Sequence, residues 1–439
     1  MVSGTRLDFS SFSQSTRLYG LSLFNRVLVK ILRLLKLNNA AYKLDFYEKM
    51  LNFMRITALA ALSRNIKYLP PGRPGSDPDD ASCENRICSS LIEFLYHFGI
   101  VESRNNIMAV HPKYKGMFEK DIAGLIVKDR QAVRGVRLSK KDKILVRDFL
   151  FVKDLVRKYD DHGYIFQHIY RNRRKWGSLI KARELDYEVR LCETLINLAD
   201  LNIPEKIKSP FKEDYYTESG QNAFRNFTGP AFREYLRKIT RGNPGIRVFD
   251  LGCGYGNYIG AVHDVYPDAR ITGIELNPDV CAATSVKFRG IKNIEILNTD
   301  FFEYATDLKY DVILANYVLF YFNAEHKRKL FEKVKSMLAP EGSMIICQYF
   351  SGIEELKKNL ARMQHDLSLS RKIEMYYSDK ILYANTLWND SVDTFSEAVH
   401  WNEFLALITG AGMHIESMTH ADRFYYSLFI EVRNGAARE

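Results

Sequence analysis

The sequence predicts an α/β fold in its C-terminal half, preceded by a mainly α-helical N-terminal half. Three observations lead there. After Arg241-Gly242-Asn243-Pro244-Gly245 the pattern changes to short apolar strands alternating with helices, the mark of a parallel sheet. The first of those strands runs straight into three alternating glycines, Gly252, Gly254 and Gly256. The second, Ile271-Thr272-Gly273-Ile274-Glu275, closes on an acid.

The bulk properties bound the rest. A chain of 439 residues has room for two or three domains, and 46% hydrophobic with 26% charged residues is ordinary for a globular protein. Six cysteines without a CxxC pair suggest neither a disulfide framework nor a zinc site, so no metal is expected and a reducing, cytoplasmic setting fits. The net charge of +10 raises the question of nucleic acid. Much of the excess is N-terminal, with nine basic against three acidic residues in the first 60, and no nucleic-acid-binding signature accompanies it. A solvated basic face is the preferred account. No apolar run reaches the roughly 18 residues of a membrane span.

Along the N-terminal half, Arg26, Lys30, Arg33 and Lys36 recur at helical spacing, with Leu23, Phe24, Val27, Leu28, Ile31, Leu34 and Leu35 on the other face. Such a helix can lie on a membrane; packing of its apolar face on a core or a partner subunit is favoured. The stretch from Leu69 to Asp80 holds four of the twelve prolines and must be a loop. Around it, Asp45–Ser63 and Asn85–Gly99 read as helices with apolar residues at core spacing. Ile100-Val101-Glu102 and Ile107-Met108-Ala109-Val110 then read as short strands. Helix, helix, hairpin is a winged-helix outline. The expected divisions are 1–130 for this winged-helix-like domain, 131–240 for a helical linker and pocket lid, and 241–439 for the α/β domain.

The run Ile246-Arg247-Val248-Phe249-Asp250-Leu251-Gly252-Cys253-Gly254-Tyr255-Gly256 is a buried strand entering a tight turn, where glycine lets a ligand approach the backbone. Glu275 lies 19 residues past Gly256, where a carboxylate accepts from a ribose diol. A dinucleotide fingerprint needs a glycine where Asn257 stands, and Asp250 would repel a diphosphate. An acid there suits the ammonium of a methionine moiety.

These residues resemble the class I methyltransferases that use S-adenosylmethionine (SAM), with their Rossmann-like seven-stranded sheet. Asp250 to Gly256 is similar to the family's glycine-rich motif, Asn298-Thr299-Asp300-Phe301 to its third motif, Tyr310 to Val318 to the fourth strand, and Leu338 to Ser343 to the turn into the fifth. The resemblance implies a transferase that binds SAM and releases S-adenosylhomocysteine (SAH). It implies a cofactor site of Asp250, Gly252, Gly254, Gly256, Glu275, Leu276, Asp300, Phe301, Asn316 and Tyr317. Leu276 would lie against the adenine, Asp300 would bond its amino group and Phe301 would stack on it. A final strand, Tyr426–Val432, would complete the sheet as its antiparallel edge.

The layout resembles small-molecule O-methyltransferases, whose N-terminal domain dimerises, which implies a homodimer and a small-molecule acceptor. It departs from them where their general-base His should follow the fourth strand: Phe320 or Tyr321 stands there, and His326 falls on a later helix. Without a base, transfer suits an N, C or S acceptor or an already ionised O, by in-line displacement resting on alignment. Tyr321 and Tyr349 are the candidates to orient the acceptor, within an aromatic set of Tyr317, Phe320, Phe322, Phe350, Tyr376 and Tyr377. Two alternatives stay open, an RNA or protein methyltransferase and a non-catalytic SAM-binding regulator. Asn316 is followed by Tyr317, Val318 and Leu319, not by the Pro-Pro-Tyr of exocyclic-amine enzymes.

Overall fold

A computed structural model of the protein describes residues 27–69, 83–104, 107–128, 136–157, 185–203, 224, 228–240, 242–350, 369–391, 399–422 and 427–435. They form two compact units.

The first unit takes its described residues from 1–208 and 366–393. Its hub is α1 (Asn38–Asn65), on which Phe46, Met50, Phe53, Met54 and Ile56 are fully buried, as their helical spacing requires. Asn65 ends α1 and ties it down. Its Nδ2 donates to the carbonyls of Ala61 (2.8 Å) and Leu201 (2.7 Å), and its Oδ1 accepts from the Ile203 amide at 2.9 Å. The next helix, α2 (Cys83–His97), stops at Gly99. That residue takes φ +66°, while the Ile100 amide reaches back to Leu95, the usual glycine C-cap. Strands β1 (Val101–Arg104) and β2 (Ile107–Val110) form an antiparallel pair with Val101 opposite Val110. Ser103 and Arg104, expected in the connection, belong to the ladder. Helices α3 (Pro112–Glu119), α4 (Ile122–Lys128), α5 (Lys140–Arg157) and α6 (Asp186–Leu195) follow.

Two helices differ from what the sequence pattern alone suggests. The helix Leu369–Ser391, expected inside a continuous 241–439 domain, packs in the first unit against α1 and α2. Its polar residues find partners there: Glu374 pairs with Lys43 at 3.0 Å, Tyr377 donates to Glu48 at 2.5 Å, and Asp390 accepts from Ser90. The second departure concerns residues 27–34. They are helical, but Val29 and Leu32 are the buried ones, and Val27, Ile31, Leu34 and Leu35 are exposed. The predicted apolar face is turned outward over these residues; Leu23, Phe24 and Arg26 lie outside the described residues.

The second unit takes its described residues from 209–365 and 394–439. It opens with α7 (Gly229–Ile239) and continues β3 (Arg247–Leu251), α8 (Asn257–Val265), β4 (Arg270–Glu275), α9 (Pro278–Lys287), β5 (Ile294–Asn298) and β6 (Tyr310–Asn316). Then come α10 (Ala324–Met337), β7 (Leu338–Tyr349), α11 (Trp401–Gly410), β8 (Met413–His420) and β9 (Ser427–Asn434). The sheet order is β5-β4-β3-β6-β7-β9-β8. The first five strands are parallel, and β9 is antiparallel to both of its neighbours. The antiparallel strand therefore sits one place in from the edge, not at it, and β8 takes the edge.

Alternation along the strands feeds two cores. Phe249, Leu251, Ile313, Ala315, Met344 and Ile346 pack with Phe331 of α10 and Phe404 of α11. Val248, Val312, Leu314, Ile345 and Cys347 pack on the other face with Phe232 of α7 and Ile259 of α8. The strands thus read as apolar runs, and polar residues at their carboxyl ends stand out. Among the described residues no helix is long and apolar enough to cross a membrane.

Candidate functional site

The carboxyl ends of β3, β4 and β6 meet at the turn from β3 into α8. Gly252, Gly254 and Gly256 all take left-handed φ, at +70°, +51° and +67°. At Gly256 a Cβ would collide with the ring of Phe288 and crowd Thr284, so only glycine lets α8 start there. The turn is tied to β4. The Cys253 amide donates to the Ile274 carbonyl (2.8 Å), and the Thr284 hydroxyl donates to the Gly254 carbonyl (2.7 Å).

Glu275, the last residue of β4, receives the Gly254 amide on Oε2 (3.0 Å) and the Asn277 amide on Oε1 (2.9 Å). Each oxygen retains acceptor capacity for a diol. Leu276 beside it is 67% exposed, and Asn298 fixes this corner by donating to the carbonyls of Glu275 and Leu276.

Asp250 is buried one residue before the end of β3, and its Oδ2 has no hydrogen-bond partner. Burial, and secondarily the nearby Glu275 charge, push its carboxyl up to about 7. Asn316, at the end of β6, is buried with neither Oδ1 nor Nδ2 partnered. Strand parity sets both on the α7–α8 face of the sheet, since Asp250 stands opposite Leu314 in register. Buried polar atoms in folded proteins nearly always have partners, and groups without them at adjacent strand ends mark the place where a ligand supplies them.

Tyr317 follows with φ +54°, a conformation that β6 itself would not give a tyrosine. Its amide donates to the Cys347 carbonyl (2.7 Å) and its hydroxyl to Ser427 (2.8 Å). Tyr258, in the first turn of α8, shares a hydrogen bond with Thr228 at 3.0 Å. Burial raises both tyrosines well above their ordinary value, and the Cys347 thiol, against which both hydroxyls lie, to about 12. None of these groups is a nucleophile at neutral pH. Sequence reasoning missed Tyr258, Thr228, Cys347, Ser427 and Gln348. The last is fully buried on β7 with both amide atoms unpartnered, and a glutamine ending an apolar strand was the signal available for it.

Asp300 accepts from the Phe302 amide at 2.7 Å in the turn after β5. Lys333 of α10 secures that turn by donating to the carbonyls of Phe301, Phe302 and Tyr304. Phe301 does not offer a ring face outward as expected for stacking. It is 4% exposed and packs on Phe302 and Phe249, because the turn folds back through the Tyr304 amide to the Asp300 carbonyl and directs Phe301 inward.

Of the two tyrosines expected to orient an acceptor, Tyr349 is buried and stacked on Phe320 at 5.7 Å, whereas Tyr321 is 51% exposed. Tyr377 is spent inside the first unit, and Tyr376 lies on the same helix. His326 is exposed and bonded to Asn323 at 2.9 Å, a helix-cap contact in keeping with a surface position. Among the described residues no cluster of His, Cys, Asp and Glu could hold a metal ion.

Residues 243–404 match the sequence family described as "Methyltransferase domain". The chain is 28% identical over 133 residues to trans-aconitate 2-methyltransferase of Shigella dysenteriae, a match covering 30% of this chain and 48% of the relative. It is 23% identical over 125 residues to malonyl-[acyl-carrier protein] O-methyltransferase 2 of Ilyobacter polytropus, covering 28% and 48%. The chain thus spans about half the length of these relatives. Among solved structures, magnesium protoporphyrin IX methyltransferase from Synechocystis PCC 6803 with bound SAH aligns at 17% identity and TM-score 0.33, over 51% of this chain and 97% of that one. The family match covers residues 243–404, the stretch that carries Asp250, the Gly252–Gly256 turn and Glu275.

Proposed function

We propose that the protein is a SAM-dependent methyltransferase acting on a small-molecule acceptor. The observation that carries this reading is the unpartnered Oδ2 of buried Asp250 beside the Gly252–Gly256 turn, with Glu275 closing the neighbouring strand. SAM needs an anion for its ammonium and an acceptor for its ribose diol, and these two acids supply both. In this reading Asn316 and the backbone at Tyr317 border the methyl-bearing sulfonium. Asp300 and Leu276 border the adenine, and Phe301 backs that corner from within.

SAM held by Asp250 and Glu275 would supply an electrophilic methyl on its sulfonium, open to in-line displacement by an acceptor lone pair with SAH as the leaving group. The chain contributes alignment and exclusion of water, with Tyr349 and Tyr321 bordering the acceptor and no catalytic histidine. An N, C, S or pre-ionised O acceptor fits that chemistry. Two relatives are named for trans-aconitate and for malonyl-acyl carrier protein, both acids whose carboxylate oxygens need no base.

The first unit's helix–helix–hairpin is read as a winged-helix-like element that assembles a homodimer, with the exposed Val27, Ile31, Leu34 and Leu35 at the interface. The sparse cysteines are read as those of a protein working in a reducing, cytoplasmic setting. Calorimetry with SAM and SAH, followed by transfer of labelled methyl to pooled small metabolites, tests the reading. Saturable binding at one site per chain with label in a small product is expected, and absence of SAM binding overturns it. Label in RNA or protein instead moves the acceptor to the macromolecular class.

A further inference from the structure

Lys333 of α10 spends its ammonium on a single turn. Its Nζ donates to the carbonyls of Phe301, Phe302 (3.1 Å) and Tyr304 (2.6 Å), and it stands 4.9 Å from the centre of the Phe301 ring. An ammonium has three protons, so these carbonyls take them all. A lysine on a helix surface ordinarily keeps its head in water; here a short loop wraps it as a loop wraps a bound cation. The same turn closes on Asp300. The Glu303 and Tyr304 amides donate to the Asp300 carbonyl at 3.2 and 3.0 Å, and the Phe302 amide donates to Asp300 Oδ1 at 2.7 Å. The Phe301 carbonyl and the Phe302 N–H belong to one planar trans peptide, in which they point opposite ways. One peptide unit therefore carries the ammonium on its oxygen and the carboxylate on its hydrogen. A cation at that oxygen polarises the N–H and strengthens its hold on Oδ1, because hydrogen bonds in a chain reinforce one another.

In the proposed reading Asp300 borders the adenine, and its second oxygen is the acceptor left for the exocyclic amino group. Resting on that reading, we propose that Lys333 is a positioning residue for nucleobase recognition. It touches no part of the cofactor. It holds the 301–302 peptide, and through that peptide it aims Asp300 so that a base with an amino group is preferred to one with a carbonyl in its place. Without the ammonium, three carbonyls gathered at one point lose their donor, and the turn relaxes to find water for them. Oδ1 then loses the orientation of its own donor, and the carboxylate is no longer fixed. A lysine that merely tied the loop to α10 would weaken every ligand of the site alike, whereas the loss of Asp300's aim falls on the amino group.

Calorimetry with SAH and with its deaminated analogue S-inosylhomocysteine tests this, because the analogue carries a carbonyl where adenine has its amino group. Wild type should prefer SAH by about tenfold or more, the size of one charge-assisted hydrogen bond. Lys333→Met should weaken SAH by about tenfold and the analogue by less than about threefold, so that the preference is nearly lost. Lys333→Arg keeps the charge, but a planar fork cannot bring three donors from one nitrogen onto the carbonyls, and its preference should fall between the two. If Lys333→Met does not fold, Lys333→Arg decides, and a wild-type preference there overturns the proposal. So does a Lys333→Met protein that loses affinity for both ligands equally, the mark of a structural tie, or for neither. Wild type that binds no SAH removes the methyltransferase reading and this inference with it. Wild type that binds SAH and its analogue equally leaves that reading in place and removes this inference alone.

Discussion

One set of buried polar groups in each unit makes a contrast. In the helical unit, Lys43 pairs with Glu374, Tyr47 with Glu188, Tyr377 with Glu48 and Asn52 with Asp148, all within the described core. At the carboxyl ends of β3 and β6, Asp250 Oδ2 and both amide atoms of Asn316 have no partner. The first arrangement is closed on itself and specifies how helices pack. The second is complete only with something outside the chain. Burial of polarity alone therefore does not mark a site; unsatisfied groups gathered at adjacent strand ends do.

The comparison breaks most sharply if the closed network proves dispensable. Lys43→Met leaves Glu374 buried without its cation, and the expected cost is about 3–5 kcal/mol of stability. A melting temperature unchanged from wild type would show that the pair is not the interior lock described. Next in size is Glu275→Ala, which removes the tie to the Gly254 amide and the tie to the Asn277 amide along with the diol acceptor. A loss of about 1–3 kcal/mol of SAM affinity is expected by calorimetry, and equal affinity would withdraw Glu275 from the site.

Asp250 sharpens the contrast through pH. Its folded-state carboxyl is pushed up to about 7 from an ordinary 3.8, so between those values the folded protein holds a proton that the unfolded chain has lost. Its contribution to stability is present below about pH 4 and is lost as pH rises toward about 7. Asp250→Asn should therefore flatten the decline in stability and raise the melting temperature at about pH 8, while weakening SAM binding. Wild-type SAM affinity should rise from about pH 6 to about pH 7.5 as the carboxylate forms opposite the ammonium. Affinity that falls across that window would contradict the pairing. The smallest effect is expected from histidine. His263, His326, His400 and His414, changed singly to Gln, should each keep kcat within about tenfold, against the 10²–10⁴ lost with a general base. One variant losing a thousandfold while still binding SAM would return the reaction to base-assisted O-methylation.

Much of the second unit was readable because its signals are local. A glycine turn, an acid at a strand end and alternating strands and helices each need only a short stretch of chain. The left-handed φ at Gly252, Gly254 and Gly256 follows from steric rules the sequence already carries. The inward packing of Phe301 was not legible, because its position in a motif says nothing about which way a turn points it. Which of the two expected covers, core or partner, the face of residues 27–34 meets was not legible for a related reason. Periodicity locates an apolar stripe but cannot say that Val29 and Leu32, off that stripe, are the ones the rest of the unit covers.

What the sequence by itself determined is the order of the elements, the turn that only glycine permits, and the identity of the two acids near it. These depend on backbone sterics and on periods of two and 3.6 residues, which act over a few positions. Only the tertiary structure decided that the helix Leu369–Ser391 leaves the domain that flanks it in sequence, since its partners Lys43, Glu48 and Ser90 lie hundreds of residues away. It also decided that β9 inserts between β7 and β8, and that Gln348 stays without a partner beside a tyrosine turned to the other face. Whether a polar group is satisfied is a property of everything packed around it, and that is settled only when the chain has folded.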